Sequence, residues 1–215
     1  MLRRRCGTGG PCAYVLTSPR LASNLATACG SKGGTPRRRQ SAGRRCGCGP
    51  GDPGAYFTLG LALYWGGKTP AAGARFYAEA FAAHPKLADD LSFPNRYNAA
   101  CCAALAGCGQ GHDAVKLDET ERARLRHQAL NWLRADLAAW GQLLEKEKDQ
   151  ARARAQDRLR EWRQDADFAE VRGNALAKLP EAERQPWQQL WADVEQTLKR
   201  VNHQDTKDAK KKTPN

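Results

Sequence analysis

Between residues 55 and 202 apolar side chains recur every three to four positions, and nowhere in that span do they alternate with polar ones. A period near 3.6 predicts helices throughout and no strand. In AYFTLGLALYW the recurring positions are Phe57, Leu61 and Tyr64, and Gly66-Gly67 end that helix. A second helix is expected over roughly 70–83, with Pro70 suited to its first turn and Phe76, Tyr77, Ala80 and Phe81 on its buried side. It ends before Pro85. RYNAACCAALAG then lines up Tyr97, Ala100/Cys101 and Ala104/Leu105, a face small enough for close approach by a neighbouring helix, and Gly107, Gly109 and Gly111 end it. At LDETE, Asp118 can cap a longer helix and Glu121 can reach back. Its apolar line runs Leu125, Ala129, Trp132/Leu133, Leu137, Trp140 and Leu144. EKEKDQARARAQDR alternates in charge and predicts a solvated face. LPEAERQPWQQLWADVEQTLKRV closes the series as an amphipathic helix with Trp187, Leu190/Trp191, Val194, Leu198 and Val201 on one side. The fold class is therefore all-α.

The ends differ from this body. Residues 1–54 carry ten Lys/Arg against one acid, Asp52, with eleven of the 20 Gly and five of the 11 Pro. Little apolar content beyond Tyr14–Leu16 predicts a disordered, basic tail. Residues 205–215, with four Lys and two Asp, predict a second disordered tail. The domain organisation is thus tail 1–54, helical domain 55–204 and tail 205–215. The formal charge of +12 belongs to the tails, because the body is nearly neutral. The Arg-rich start fits the first part of a secretory signal, but Pro19, Arg20 and Asn24 break any apolar core behind it. Composition of this kind also arises when a start codon is assigned too early. No run reaches the ~18 apolar residues of a membrane span, and the expected location is cytoplasmic.

Candidate chemistry is sparse. Eight cysteines are present, Cys6, Cys12, Cys29, Cys46, Cys48, Cys101, Cys102 and Cys108, without a C-x-x-C or a His pair at zinc-finger spacing. On a helix Cys101 and Cys108 share a face but stand about 10 Å apart, beyond the ~7 Å limit for a disulfide. Cys102 points roughly 100° away from Cys101. A metal site from these three alone is not expected, and small buried packing residues are expected instead. His84, His112, His127 and His203 have no partner pattern for a nucleophile–base pair or a metal. The acids of ETE and PEAE suit first helical turns. All six tryptophans fall within the helical span, where a stripe of them predicts core. No cofactor, metal or catalytic residue is expected.

Short-turn helix pairs raise the question of a repeat. Residues 54–87 place Phe57, Gly60, Leu61, Tyr64, Gly73, Tyr77, Ala80 and Pro85 at the offsets of a tetratricopeptide unit, with the Leu and small positions exchanged. A second, irregular unit has Tyr97, Ala100, Cys101 and Ala104 in its first helix, and Ala129 and Leu133 after an inserted loop, GCGQGHDAVKLDE. Across about residues 72–202 the phrases FYAEAFAAHPKLADDL, RYNAACCAALAGCGQG, ALNWLRADLAAW, DFAEVR and LPEAERQPWQQLWADV resemble something narrower. They resemble the C-terminal end of tetratricopeptide-repeat regions attached to bacterial serine/threonine kinases of planctomycete type. That resemblance implies a short α-solenoid used as a protein-interaction scaffold. It does not bring kinase activity, since the Gly-rich loop with its strand lysine, the H-R-D-type loop and D-F-G are missing, and DADF at 165–168 is not a substitute.

The function expected is a non-catalytic scaffold of tetratricopeptide type, a detached or truncated kinase regulatory region. Its partner would be a protein, a peptide or a second copy, held at an apolar patch of Phe57, Leu61, Tyr64 and Tyr77. Two alternatives stay open. One is binding of nucleic acid or another polyanion through the Arg and Lys clusters of the tails, although aromatic residues do not interleave them. The other is a degenerate gene fragment without retained function.

Overall fold

The computed structural model describes the backbone of residues 2–5, 13–16 and 68–212. The helix expected at 55–65, and most of the 1–54 tail, lie outside the described residues. Within that tail two short stretches differ from the expectation of no regular structure. Leu2–Arg5 (β1) and Ala13–Leu16 (β2) pair antiparallel, with Leu2 opposite Leu16 and Arg5 opposite Ala13. Tyr14 and Val15 are good strand formers.

From residue 68 onward the described chain is all helical. The elements are α1 (Pro70–Ala83), the single turn α2 (Lys86–Asp89), α3 (Asn95–Gly107), α4 (Glu119–Lys146), α5 (Lys148–Gln164), two 3-10 segments (Ala166–Val171 and Gly173–Lys178) and α6 (Glu181–Lys212). Helix α1 starts at Pro70 and closes with the His84 N–H on the Ala80 carbonyl, just ahead of Pro85. Its first turn is not capped locally, because Thr69 makes no side-chain cap. The cap comes from far along the chain. The Asp113 carboxylate accepts the N–H groups of Ala71 (3.2 Å) and Ala72 (2.7 Å), satisfying donors that a helix start leaves open. The 108–117 loop is seated for this by the His112 N–H on the Lys68 carbonyl (2.9 Å). Gly111, at φ +98°, lies so close to Pro70 that a Cβ would stand 2.3 Å from its ring.

Helix α3 is the centre. Eleven of its thirteen residues are buried, mostly Ala and Cys, and it packs on α1, on α4 and on the first 3-10 segment. A helix apolar on all sides must be covered on all sides, and the small side chains allow close approach. Gly73 of α1 shows how close: a Cβ there would stand 2.8 Å from the Cys102 Sγ. The packing role expected of the cysteines is thus what Cys102 performs.

Helix α4 starts as expected, with Asp118 Oδ1 accepting the Glu121 N–H at 2.8 Å. Glu121 does not reach back, however. Its carboxylate takes two hydrogen bonds from Arg124 (2.8 and 2.9 Å). The apolar line of α4 is buried at Leu125, Ala129, Leu130, Trp132, Leu133 and Trp140, while Leu137 is only half-buried. The solvated face expected of the charge-rich stretch is corrected. Helix α5 buries Ala151, Ala155, Leu159 and Trp162, a stripe at three- and four-residue spacing. The alanines carry it quietly among arginines. Helix α6 buries Trp187, Leu190, Val194, Leu198 and Val201 as expected. It then runs on to Lys212, so the second tail is helical in backbone up to that residue. Alanine and lysine are good helix formers, and the proline of residues 205–215 is Pro214. The described tryptophans other than Trp191 are buried, and Trp191 packs partly buried against the core.

Two buried arginines tie the layers. Arg126 of α4 donates to the Gly107 carbonyl at the end of α3 (2.7 Å), to Glu119 (2.6 Å) and, with two nitrogens, to Glu183 of α6 (2.7 Å each). Arg96 of α3 bonds Asp89 of α2 and lies 3.4 Å from Asp136 of α4.

Candidate functional site

Of the four residues expected to form a partner-facing patch, Phe57, Leu61 and Tyr64 lie outside the described residues. Tyr77 is described, and it is a correction: its side chain is fully buried. Its ring packs edge-on to Phe76 and tilted against Phe81, 5.7 Å between centroids in both pairs. Phe81 in turn meets Trp132 of α4. Helical spacing puts Tyr77 on the same side of α1 as Gly73 and Ala80, and that side is covered by the core. It is not available to a partner.

What α1 does leave open is a groove against α4. It has a volume of about 180 Å³. Ala74, Leu125 and Trp132, themselves buried, and the more exposed Arg75, Ala78, Glu79, Arg124 and Gln128 line it. Arg75 of α1 is exposed and lies near enough to α4 that, after Arg124, it helps hold the Glu121 carboxyl below its ordinary range. At about 180 Å³ the groove is smaller than the clefts that enclose small ligands.

A second feature is chemical. Cys101 of α3 meets two carboxylates from the turn after α5, Asp165 and Asp167, with one ligand atom of each of the three within 4.8 Å of the others. Asp165 caps the first 3-10 segment, its Oδ1 accepting the Asp167 N–H at 2.9 Å, and this turn brings both carboxylates to the α3 side. Asp165 Oδ2 also accepts from the Tyr97 hydroxyl and faces the Cys101 Sγ at 3.9 Å. Trp162 stacks on Tyr97 at 5.8 Å, and Phe168 stands edge-on to it at the same distance. Burial pushes the Cys101 thiol well above its ordinary range, and the charges of Asp167 and Asp165 add to the rise. Tyr97 is raised for the same reason, first by burial and then by Cys101 and Asp165. As the chain stands, these are protonated donors on a carboxylate, with no activated nucleophile among them.

The third feature is Asp136, buried on α4. Burial raises its carboxyl to about 6, against the lowering influence of Arg96 and Arg158. It borders a small cleft whose wall includes Phe93, Tyr97, Trp140 and Trp162. Arg158 enters the same cleft, so Asp136 is the partner of arginines.

Asp165, Asp167 and Asp136 were not singled out by spacing. Asp165 and Asp167 stand more than sixty residues from Cys101, and nothing local in DADF marks them as its neighbours. No protein-family profile, no curated protein and no solved structure matches this chain.

Proposed function

We propose that the chain is a non-catalytic helical scaffold of tetratricopeptide type, related to the repeat regions that its sequence resembles, and that it binds a peptide segment of a partner protein. The observation carrying this reading is the α1–α4 groove, where Ala78 and Trp132 stand with Arg75, Glu79, Arg124 and Gln128. The residues at the tetratricopeptide offsets in α1 also behave as such a second helix would. Gly73 gives the close approach to α3, Tyr77 and Ala80 are buried, and Pro85 follows the helix end. The occupant is a peptide that lays an apolar side chain between Ala78 and Trp132 and offers a carboxylate to Arg75.

A random peptide library displayed on phage and selected on the full chain tests this. Enriched peptides should share an apolar residue with a neighbouring acid. They should lose at least tenfold in affinity to Ala78→Arg, which blocks the groove from an exposed position of α1, with the circular dichroism spectrum unchanged. Peptides bound equally by that variant, or a selection without enrichment, would remove the groove from the argument. Loss of binding in moderate salt together with a requirement for residues 1–54 would favour the polyanion reading.

A further inference from the structure

Buried Cys101 with half-buried Asp165 and Asp167 has the donor set of a metal centre. Three side chains from two distant parts of the chain place a sulfur and two carboxylate oxygens within 4.8 Å of one another. Ligand atoms sharing one zinc ion stand about 3.5 Å apart, given Zn–S near 2.3 Å and Zn–O near 2.0–2.2 Å. Side-chain rotation of under about 1 Å therefore closes the set. The positions are held from behind. Cys101 lies mid-helix in α3, and the Asp165 carboxylate is fixed by the Asp167 N–H and the Tyr97 hydroxyl. Trp162, Tyr97 and Phe168 wall the site.

We propose that Cys101, Asp165 and Asp167 bind one divalent cation of the zinc class, with water completing its coordination. The thiolate selects against magnesium and calcium, which take oxygen ligands. On binding, the Cys101 S–H proton passes to solvent and an S–metal bond takes its place. The Tyr97 hydroxyl keeps its hydrogen bond to Asp165 and orients that carboxylate from outside the coordination sphere. Such an ion would cross-link α3 to the segment after α5 and so add to folding stability.

The test uses the full chain with Cys6, Cys12, Cys29, Cys46 and Cys48 each changed to Ser, which leaves Cys101, Cys102 and Cys108 as the thiols. Titration with Co2+ should give thiolate-to-cobalt charge-transfer absorption that saturates at one equivalent and is abolished by stoichiometric Zn2+. Cys101→Ala should remove the band, Asp167→Asn should weaken binding at least tenfold, and Cys108→Ser should leave both unchanged. Circular dichroism of each variant confirms that the helices remain, and Asp167→Asn, nearly isosteric, serves if Cys101→Ala does not fold. No charge-transfer band at stoichiometric cobalt, or a band that survives Cys101→Ala, would overturn the site. Because peptide selection on the groove does not involve these residues, failure here leaves the scaffold proposal standing.

Discussion

Asp136 shows how one buried carboxylate sets a pH dependence. Its folded-state pKa, about 6, stands above the ~3.9 of an unfolded aspartate. Between those values the folded protein holds more protons than the unfolded chain, so stability falls as pH rises. The contribution is fully present below the unfolded value and is lost as pH rises through about 6. Two pH units correspond to roughly 3 kcal/mol at most. Urea unfolding from pH 4.5 to 7.5 should show this decline in the wild type and a flatter profile in Asp136→Asn. Equal slopes in the two proteins would contradict the assignment. Asp113 acts at the same scale by a different route, since it caps a helix 41 residues before it in the chain. Asp113→Ala should cost about 1 kcal/mol, as loss of an N-cap does, and Asp113→Asn should recover part of that. Chemical denaturation of the three proteins decides it.

The packing of α1 on α3 turns on Gly73 and Cys102. A Cβ at Gly73 would stand 2.8 Å from the Cys102 Sγ, nearer than such atoms approach, so the two helices must part or the thiol must move. Gly73→Ala gains up to ~1 kcal/mol of helix propensity but overpacks this contact, a penalty of typically 1–3 kcal/mol. Net destabilisation is therefore expected. Removing the obstacle should reverse it: in a Cys102→Ala background, Gly73→Ala should be neutral or stabilising. A thermal-melt cycle over the four proteins measures this coupling, and additive effects would show that the helices are not in the contact described. Elements of this kind are also where the sequence was most readable. The α1 bounds, the Asp118 cap and the tryptophan stripes follow from periodicity and local side-chain chemistry, which are visible in ten or fifteen residues. The stripe of α5 was hidden because two of its four members are alanines among arginines. The α1 cap and the Cys101–Asp165–Asp167 cluster were hidden for a stronger reason. Each joins residues tens of positions apart, and only the packed fold brings them together. Tyr77 failed for the opposite cause, since an aromatic residue on a helical face looks the same whether a partner or the chain itself covers it.

At the scale of the molecule, Arg126 is where three helices meet. Its side chain is 4% exposed and its nitrogens reach the Gly107 carbonyl of α3, Glu119 at the start of α4 and Glu183 in the first turn of α6. Glu183 is itself only 21% exposed, so this pair lies in a region that water screens poorly, whereas Arg124 and Glu121, at 53% and 32%, are more open to solvent. Surface pairs of the second sort contribute about 0.2–1 kcal/mol. A partly buried bidentate pair has stronger charge-assisted bonds, and losing one partner strands the other in a poor solvent. Arg126 also packs by its stem, since a Cβ on Gly107 would stand 2.6 Å from the Arg126 Cγ. Double-mutant cycles separate packing from pairing. Arg126→Met with Glu183→Gln should give a coupling energy of roughly 1.5–3 kcal/mol that changes little between low and moderate salt. Arg124→Met with Glu121→Gln should give under ~1 kcal/mol, shrinking with salt. A coupling for Arg126–Glu183 no larger than the surface pair's would mean that α6 is held to α3 and α4 by its apolar stripe alone.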